Sequence, residues 1–544
     1  MNAAGEFERW LLNAKDAEIQ NELRSLIGND AEINERFYKE LSFGTGGLRG
    51  VIGAGTNRMN VYSVSKATFG LAEYLKETCG SSVVIAYDSR NKSAEFAKLA
   101  AVIMSSKGIK AYLFSDITPT PVLSFAVRYL RADAGIVITA SHNPKEYNGY
   151  KVYNSRGCQI TDEAAEAITQ KIACCDYFDN YVCDESRISV VDQSVERAFL
   201  DEIKRYSLTK IKVNSAPSVV YSPLNGTGGK YVQKILNEIG VSEVYTVKEQ
   251  EMPDGSFATC PYPNPEDGAA LELALRDAEL YKPDLVLATD PDSDRIGVAV
   301  PNENGEYVLL NGNEVGSILL YYILLRRTES GNLGASGTVI KTVVTTDIAF
   351  DMASEFGVEV REVLTGFKYI GELLDKVENY IFGFEESCGY LIGTHARDKD
   401  GISAAMYIAE ACAYFKEKGK SIYQILREIS DRYGYYKTTL KAVSMPGRDG
   451  MERMKALLEH IRRDPPTEID GTALELDDFG KGLFGLPPSD VLRFKGNDCR
   501  VVIRPSGTDP KMKIYTQVKG KTDSEAEMKN KKIDRFLEKI FLLD

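Results

Sequence analysis

The sequence predicts an α/β protein in which three α/β domains are followed by a C-terminal α+β domain. Three observations lead to this fold class. Apolar, β-branched strands alternate with helical stretches from about residue 80 onward, which is typical of βαβ units and a mainly parallel sheet. The same pattern begins again near residues 216 and 336. After about residue 434 it changes, and several strands with two helices indicate an antiparallel sheet.

The first domain begins with an amphipathic helical region. Residues 1 to about 40 carry Trp10, Leu23 and Ile27 at near-helical spacing. Gly108 ends the predicted helix 95–108. The predicted elements of this domain are a strand (81–90), a helix (95–108) and a further strand that runs into a polar loop (134–144).

The later domains repeat this alternation without obvious sequence identity. Their predicted strands are 216–222, 283–289 and 336–342, and the tail contributes 437–445, a helix around 450–462, and two more strands near 500 and 515. We place the domain borders near residues 194, 311 and 433. The predicted domains are therefore 1–194, 195–311, 312–433 and 434–544.

The composition is that of a folded globular protein of several domains. The chain has 544 residues, 43% of them hydrophobic and 27% charged, and its formal net charge is −13. This acidic balance disfavours general binding to nucleic acid or to an anionic membrane. No apolar run approaches the roughly 18 residues of a membrane span. Without a visible signal peptide or a CxxC pair among nine cysteines, we expect a cytoplasmic protein with reduced thiols. Its oligomeric state carries no sequence signal.

A strand delivers Ser141 into the polar loop TASHNP, at the edge where α/β sheets usually place their ligand sites. Lys151 lies ten residues later in another apolar stretch and could act as an acid or base. The alternative interpretation is an ordinary serine turn without function. A serine hydrolase is disfavoured, because no GxSxG surrounds Ser141 and an adjacent serine and histidine rarely form a triad.

Three aspartates alternate at the end of a buried strand in DPDSDR: Asp290, Asp292 and Asp294. Carboxylates this close repel one another unless a cation joins them, and an all-oxygen ligand set suits Mg²⁺. The pattern is not an EF-hand, because Arg295 occupies the position of its glycine and Pro301 that of its glutamate. A solvated acidic turn is the alternative.

The segment RPSGT combines Arg504, Ser506, Gly507 and Thr508, with Lys511 following. A guanidinium fork, hydroxyl groups and accessible backbone N–H groups are the components of a phosphate-binding loop. A plain β-turn is an equally good interpretation of this segment alone.

Two further segments carry polar groups of the same kind. Glu385 and Ser387 offer acceptors to a polyhydroxylated ligand, and the cationic residues His395 and Lys399 follow. Taken alone, this segment would be interpreted as an exposed charged loop. Arg49 lies in a glycine-rich loop that matches neither of the common nucleotide-binding patterns.

Together the motifs resemble one family closely, the α-D-phosphohexomutases, which include phosphoglucomutase and phosphomannomutase. The match runs from residue 43 to residue 515 in the order of the family, and TASHNP together with DPDSDR is highly specific. Its elements are FGTGGLRG, TASHNP with YNGYK, DPDSDR, TGFKYIG, FEES and RPSGT. The resemblance implies four domains around a central cleft, the first three of them with mixed sheets of similar topology.

The resemblance also implies roles for individual residues. Ser141 matches the serine that carries the transferable phosphoryl group, and with the three aspartates it supplies the Mg²⁺ ligands. Arg49, His142 and Lys151 match residues at the transfer centre, with Lys151 as general acid or base. The residues that match substrate contacts are Arg295, Thr365, Gly366, Glu385, Ser387, His395 and Lys399. Those that match the cradle of the non-reacting phosphate are Arg504, Ser506, Gly507, Thr508 and Lys511.

The activity that the resemblance implies is exchange between glucose 1-phosphate and glucose 6-phosphate, through glucose 1,6-bisphosphate. Cys388 and its neighbours stand where many bacterial phosphomannomutases have a histidine, and THARDKDG resembles the longer phosphoglucomutase branch, as does the N-terminal extension. These motifs do not decide which sugar is preferred or which residue is the general base. A phosphomannomutase, a phosphopentomutase, a hexose-bisphosphate synthase or a non-catalytic phosphosugar-binding protein are the alternatives.

Overall fold

The structure, a computed structural model, describes residues 2–44, 46–334, 336–445, 447–506 and 511–541. The predicted amphipathic region forms three short helices rather than one. They are α1 (Ala3–Asn13), α2 (Ala17–Ser25) and α3 (Asp30–Phe37). Each begins after an Asn or Asp side chain that caps its first turn, namely Asn2, Asp16 and Asn29. Their apolar faces bury Trp10 and Phe37 completely.

Six strands form the first sheet: β1 (Gly47–Val51), β2 (Ser82–Tyr87), β3 (Lys110–Leu113), β4 (Ala134–Ile138), β5 (Tyr147–Asn154) and β6 (Ile188–Val190). Their order is β1-β5-β4-β2-β3-β6. The accompanying helices are α4 (Val61–Glu77), α5 (Ser93–Ser106), α6 (Thr120–Tyr129), α7 (Asp162–Ala173) and α8 (Ser194–Arg205).

Helices cover both faces of this sheet. Residues of α4, α5 and α7 share one apolar core with the strands. Gly135 on β4 faces the other way, because a Cβ there would lie 2.7 Å from Val127 of α6. A strand buried on both faces is an apolar run, as in β4, where all five residues are buried.

The second sheet contains β7 (Ser218–Ser222), β8 (Glu243–Thr246), β9 (Leu285–Thr289), β10 (Ile296–Pro301) and β11 (Tyr307–Leu310), in the order β11-β10-β9-β7-β8. Its helices are α9 (Gly228–Glu238), α10 (Lys248–Glu251) and α11 (Glu272–Tyr281).

The first two sheets are mixed and share a central four-strand arrangement, β5-β4-β2-β3 in the first and β10-β9-β7-β8 in the second. The strands separated by helices pair in parallel, as the alternation predicts: β2 with β3 and β4, and β7 with β8 and β9. β5 and β10 each follow a short loop without a helix and therefore return antiparallel beside β4 and β9. The expectation of mixed sheets is confirmed. The polar loop of Ser141 connects β4 to β5, and the loop of the three aspartates makes the equivalent connection from β9 to β10.

The third repeat contains α12 (Gly312–Glu329), β12 (Gly337–Thr342), α13 (Ile348–Phe356), β13 (Glu359–Val363), α14 (Phe367–Leu373), β14 (Asn379–Glu385), β15 (Gly389–Leu391), α15 (Gly401–Glu417) and α16 (Ile422–Tyr433). β12 pairs in parallel with both β13 and β14.

The C-terminal part consists of β16 (Tyr435–Ser444), α17 (Gly447–Arg463), β17 (Glu468–Ile469), β18 (Thr472–Ala473), β19 (Glu475–Asp478), β20 (Leu492–Lys495), β21 (Cys499–Pro505), β22 (Lys511–Gly520) and α18 (Asp523–Phe541). Its main sheet has the order β16-β22-β21-β20-β19 and is antiparallel throughout. The predicted α+β domain is confirmed.

The chain forms two compact units. The first comprises the chain up to Asn311 with Phe367–Val377 and Ser387–Gly419, and the second comprises Gly312–Gly366, Glu378–Glu386 and the chain from Lys420 onward. The three predicted domain borders, near residues 194, 311 and 433, remain a prediction. Among the described helices, none is long and apolar enough to cross a membrane.

A buried ion network joins the β12–β13 pair to β20 and β21 within the second unit. Lys341 is fully buried, and its Nζ lies 2.7 Å from Glu362 and 3.0 Å from Asp347. Arg493 binds the other oxygen of Glu362 at 2.7 Å, and Arg500 binds Asp347 at 2.5 Å. Opposite charges thus compensate each other where water is excluded.

Candidate active site

Ser141 occupies a strained position at the end of β4. Its φ of +51° lies in the left-handed region, which costs a non-glycine residue on the order of 1 kcal/mol. The side chain is almost fully buried, and its Oγ donates to Asp290 Oδ2 at 2.6 Å. His142 Nδ1 lies 3.3 Å from the same oxygen. The aspartate contacts the serine rather than the histidine, so these residues do not form a hydrolase triad.

Arg90 holds the Ser141 loop from beneath. Its guanidinium donates to four backbone carbonyls of the loop, at 2.5 Å to Ser141 and Asn143, 2.8 Å to Pro144 and 3.2 Å to Tyr147. Asp88 pairs with Arg90 at 3.3 Å, and both side chains are completely buried. Burial raises the pKa of Asp88 and lowers that of Arg90.

The three aspartates converge, with one carboxylate oxygen from each lying within 4.8 Å of the others. The carboxylate oxygens of Asp290 accept hydrogen bonds from the Ser141 hydroxyl and from the backbone N–H of Arg295. Asp292 Oδ1 and Asp294 Oδ1 are buried and accept no hydrogen bond within the described part of the chain. Buried acceptors without donors are rare unless they bind a cation, so the donor set fits a divalent metal ion.

Neighbouring charges strongly shift the pKa values of the aspartates in the triad. Burial raises the pKa of Asp290 well above its usual range, and the charges of Asp292 and Asp294 raise it further. Burial opposes the ionised form of Asp292 as well, but the nearby Lys151 ammonium outweighs burial and holds that pKa below its usual range. A cation at this position would remove the repulsion.

Two lysines approach the triad from different elements. Lys151 on β5 lies 2.9 Å from Asp292 and 3.6 Å from Asp294, and Lys399 lies 3.0 Å from the same oxygen of Asp294. Burial would lower the pKa of Lys151, but the two carboxylates raise it overall, so its ammonium is the stable form. Asp398 lies 3.2 Å from Lys399 and fixes its orientation.

Arg49 reaches the loop because β1 lies directly beside β5. It is paired with Gly149 in the antiparallel register, and its guanidinium donates to Asn143 Oδ1 at 3.0 Å. Gly149 permits close approach on both sides of β5, since a Cβ there would lie 3.0 Å from the carbonyl oxygen of Leu48 on β1 and 2.4 Å from that of Thr139 after β4. His142 is half-buried, and burial together with the charges of Arg295 and Arg49 lowers its pKa well below the usual value.

The loop of the three aspartates and the loop that follows Ser387 are joined by backbone hydrogen bonds in the first unit. Arg295 forms an isolated antiparallel bridge with Gly389, two residues after Ser387. Ser293 and Cys388 both have positive φ, at 56° and 57°, close to the value of Ser141. The loops that follow β4, β9 and β14 therefore each turn through one left-handed residue.

His395 occupies a different environment from Lys399. Its ring is completely buried, and Nε2 lies 2.7 Å from Asp400 Oδ2. The sequence leaves open whether His395 or Lys399 supplies the cationic group of this loop. The geometry favours Lys399, because only Lys399 contacts the aspartate triad.

In the second unit, Glu385 lies at the end of β14 and its Oε1 accepts a hydrogen bond from Gly366 N at 2.9 Å. This bond brings together two of the predicted sugar-binding segments. Thr365 Oγ1 is buried and has no hydrogen-bond partner among the residues described. Its hydroxyl is therefore available to a ligand.

The predicted phosphate loop follows β21 in the same unit. Arg504 donates to the Tyr515 hydroxyl at 3.0 Å, and its buried Nε has no acceptor within the described ranges. Ser506 N donates to the carbonyl of Lys511 at 2.8 Å, which brings the two described ends of the loop together. Gly507 and Thr508 lie outside the described residues.

Models of four successive domains of one family match this chain. The phosphoglucomutase/phosphomannomutase α/β/α domains I, II and III match residues 40–176, 197–305 and 311–433, and its C-terminal domain matches residues 442–534. The chain belongs to the phosphoglucomutase/phosphomannomutase family. It is thus a phosphohexomutase, an isomerase in the class of intramolecular phosphotransferases.

Curated relatives and solved structures agree with this family. The chain is 35% identical to a phosphoglucomutase of Staphylococcus haemolyticus over 508 residues, which cover 88% of this chain and 90% of the relative. A phosphoglucomutase of Staphylococcus aureus strain MRSA252 is 33% identical over 535 residues, 94% of this chain and 95% of that protein.

Two crystal structures show the same fold at low identity. A phosphoglucomutase/phosphomannomutase family protein from Burkholderia thailandensis has a TM-score of 0.71 at 19% identity, covering 92% of this chain and 98% of its own. The open form of the phosphoglucomutase parafusin from Paramecium has a TM-score of 0.70 at 18% identity, covering 92% and 95%.

Sequence reasoning missed the residues that support the phosphohexomutase loops from behind. Arg90 and Asp88 follow β2 in the segment AYDSR, which the sequence shows only as a polar turn after a strand. Thr120 donates through Oγ1 to Asp292 Oδ2 at 2.8 Å and through its backbone N–H to the carbonyl of Asp292. Charged residues directly after a buried strand were the available signal for the first pair. Nothing in the sequence indicates the role of Thr120.

Proposed function

We propose that this phosphohexomutase interconverts glucose 1-phosphate and glucose 6-phosphate through a phosphoryl group carried on Ser141. One observation carries the proposal: the buried Ser141 Oγ lies 2.6 Å from an aspartate triad that fits a divalent cation. The relatives named phosphoglucomutase, at 33–35% identity over most of the chain, support glucose as the sugar.

The reaction consists of two phosphoryl transfers. In the first, O6 of glucose 1-phosphate attacks the phosphorus on Ser141 and gives its proton to a base, while the P–Oγ bond breaks and Oγ takes up a proton. The product is glucose 1,6-bisphosphate. After this intermediate turns around, Ser141 Oγ gives up its proton and attacks the phosphorus at C1, and the C1 oxygen takes up a proton as its bond to that phosphorus breaks. Phosphoserine is restored and glucose 6-phosphate leaves, so no phosphate is consumed.

The loop of Ser141 prepares the attacking oxygen for these transfers. Arg90 holds the loop carbonyls, and Asp290 accepts the hydroxyl hydrogen bond, so Oγ has one direction in which to face. Positioning of this kind supplies much of the rate in phosphoryl transfer. Asp290, Asp292 and Asp294, completed by an oxygen of phosphorylated Ser141, would hold Mg²⁺, which supplies Lewis-acid stabilisation of the phosphoryl oxygens when bound.

The cations around the triad have proposed roles in charge and proton transfer. Lys151 is the proposed general acid or base, with Lys399 as the second candidate, and both contact Asp294. Arg49 and His142 flank Ser141 and would orient the transferred group. The residues proposed to contact the sugar phosphate from the first unit are Arg295, Ser387, His395 and Lys399.

The groups on the second unit would bind the parts of the substrate that do not react. Thr365, Gly366 and Glu385 are proposed to bind sugar hydroxyls. Arg504 is proposed to bind the phosphate that is not transferred, through its unpartnered Nε. The cradle would be completed by Ser506, Gly507, Thr508 and Lys511. Because one cradle can take the phosphate of either isomer, it serves both halves of the reaction.

A coupled assay tests this proposal. Glucose 1-phosphate is supplied with Mg²⁺ and a trace of glucose 1,6-bisphosphate, and glucose 6-phosphate is measured through glucose-6-phosphate dehydrogenase. Ser141→Ala should lose at least about 10³-fold in kcat, since no other described hydroxyl donates to the triad at Asp290. Turnover near that of the wild type in this variant would refute the mechanism.

The alternatives differ in measurable ways. Ranking kcat/KM over glucose, mannose and ribose phosphates separates a phosphoglucomutase from a phosphomannomutase or a phosphopentomutase. Net formation of glucose 1,6-bisphosphate from a phosphoryl donor would identify a bisphosphate synthase. A non-catalytic phosphosugar-binding protein would show no phosphate on Ser141 by intact-mass spectrometry, or a phosphate that substrate does not remove.

We also propose a cytoplasmic location. All nine cysteines are free thiols in the structure, although three of them are exposed enough to react. Free exposed thiols are typical of reducing compartments.

A further inference from the structure

A cavity of about 410 Å³ lies in the first unit. None of the residues assigned to the reaction lines it, but Arg397 in its lining belongs to the loop that also carries Lys399. Four arginine side chains line it: Arg128, Arg131, Arg156 and Arg397. They come from three separate parts of the chain, the end of α6, the turn after β5, and the loop before α15. We call this cavity the arginine pocket.

The positive charge of the arginine pocket is only partly compensated. Two aspartates also line it, but Asp133 already accepts hydrogen bonds from the backbone N–H groups of Ser81 and Ser82. The other, Asp375, is shared between Arg156 at 3.2 Å and Arg397 at 2.8 Å. One carboxylate thus serves two guanidinium groups.

The remaining two arginines form no ion pair with a carboxylate of the described residues. Arg128 donates only to the backbone carbonyls of Thr394 and His395, and Arg131 makes no side-chain hydrogen bond or ion pair in the described chain. Burial lowers the pKa of Arg128, and the charge of Arg397 lowers it further. The charges of Asp375 and Glu202 partly raise the pKa of Arg128 again without an ion pair to either carboxylate. Several guanidinium groups with free N–H donors around a concave surface are an arrangement that binds phosphate.

The arginine pocket shares its wall with the catalytic loop of Lys399. Arg397 NH1 donates to the carbonyls of Thr394 and Ala396, and Arg128 NH1 donates to the same carbonyl of Thr394. Two residues after Arg397, the side chain of Lys399 contacts Asp294. One short backbone segment therefore has the arginine pocket on one side and the aspartate triad on the other.

We propose that the arginine pocket binds a small phosphate dianion, either inorganic phosphate or a phosphate monoester, and that the bound anion rigidifies the segment 394–400. The anion would accept hydrogen bonds from Arg131 and from the unused N–H groups of Arg128 and Arg156. It would thereby fix the guanidinium groups that hold the loop carbonyls. The proposal is independent of the reaction assigned above, because none of these four arginines takes part in it.

Hydrogen–deuterium exchange of the full-length protein tests this proposal. Exchange is followed in peptides covering 126–133 and 394–400 while inorganic phosphate is titrated in one arm and glycerol 3-phosphate in the other. The double variant Arg131→Gln/Arg156→Gln removes the two exposed guanidinium groups. Arg187→Gln/Arg205→Gln is the matched control, because it removes two exposed charges from the same unit outside the pocket.

We expect protection of both segments in the wild type and in the control. In the Arg131→Gln/Arg156→Gln variant, the half-saturating concentration should rise at least tenfold. The arm with the lower half-saturating concentration identifies free phosphate or the ester as the better ligand. Equal protection in both double variants, or protection confined to 139–147 and 503–513, would overturn the proposal.

Discussion

Arg90 should control turnover without touching the substrate. It donates to the carbonyls of Ser141, Asn143, Pro144 and Tyr147, which belong to the loop of the proposed nucleophile Ser141. Replacing it by Gln leaves most of these carbonyls without a donor. The left-handed conformation of Ser141 then loses the contacts that hold it.

Arg90→Gln should lower both the stability and kcat, and a second substitution should restore only the stability. A buried Asp88 without its partner costs about 3–5 kcal/mol of stability. A displacement of the Ser141 oxygen by about 1 Å costs about 10²-fold in kcat. Asp88→Asn in the same chain removes the unpaired charge, and its amide oxygen can still accept from Ser93 Oγ and Arg90 N, now at 2.7 and 2.9 Å. Stability should therefore recover while kcat does not.

Three variants separate positioning from folding: Arg90→Gln, Asp88→Asn/Arg90→Gln and the exposed control Arg205→Gln. Thermal unfolding reports stability, and the coupled assay reports kcat and KM separately. We expect the double variant to unfold within a few degrees of the wild type, with kcat about 10²-fold lower and KM little changed. Wild-type kcat in the stable double variant would show that the four carbonyl contacts are not needed, and the argument would fail.

Three further predictions follow from other sites. Asp294→Asn should weaken Mg²⁺ binding at least about tenfold, because it removes a negative charge whose Oδ1 accepts no hydrogen bond from the described residues. Titration calorimetry with Mg²⁺ would measure this, with Asp277→Asn as the control. Glu362 has a pKa of about 2, because burial, which opposes ionisation, is outweighed by Lys341 and the neighbouring arginines. The ionised carboxylate stabilises the second unit by about 3 kcal/mol above pH 4.5, and this stabilisation is lost as the pH falls toward 2. Unfolding midpoints are measured over a pH series for the wild type and for Glu362→Gln, and identical midpoints at every pH would contradict the prediction. Gly149→Ala should lower both the unfolding midpoint and kcat, because its Cβ would meet a carbonyl oxygen at 2.4 Å; unchanged values for both would show that β5 can move aside.

Much of the fold could be predicted from local patterns. The fully apolar strands β4 and β9 were visible as uninterrupted hydrophobic runs, and the helices between them made parallel pairing the natural arrangement. The three helices at the N-terminus were harder, because capping by Asp16 and Asn29 interrupts a single hydrophobic periodicity. Which strand lies beside which is a non-local property, and the position of β1 next to β5 has no signal within either segment.

The candidate reaction groups were likewise predicted from short motifs. Ser141 and the three aspartates stand at strand ends, and the structure brings Ser141 within hydrogen-bonding distance of Asp290 although 149 residues separate the two. The residues that support them were hidden. Arg90 acts through backbone carbonyls and Thr120 through one hydroxyl, and neither contact follows from the type of the residue.

The sequence by itself determined the fold class and the family, because strand periodicity and motif order are local and need no knowledge of packing. The tertiary structure decided which of the cations has which neighbours. It placed Lys399 at Asp294 and buried His395 against Asp400, two residues that stand four apart in one motif. It also turned Arg397 away from the triad and into the arginine pocket. The direction of a side chain depends on the backbone path and on what packs against it, and those contacts come from distant parts of the chain.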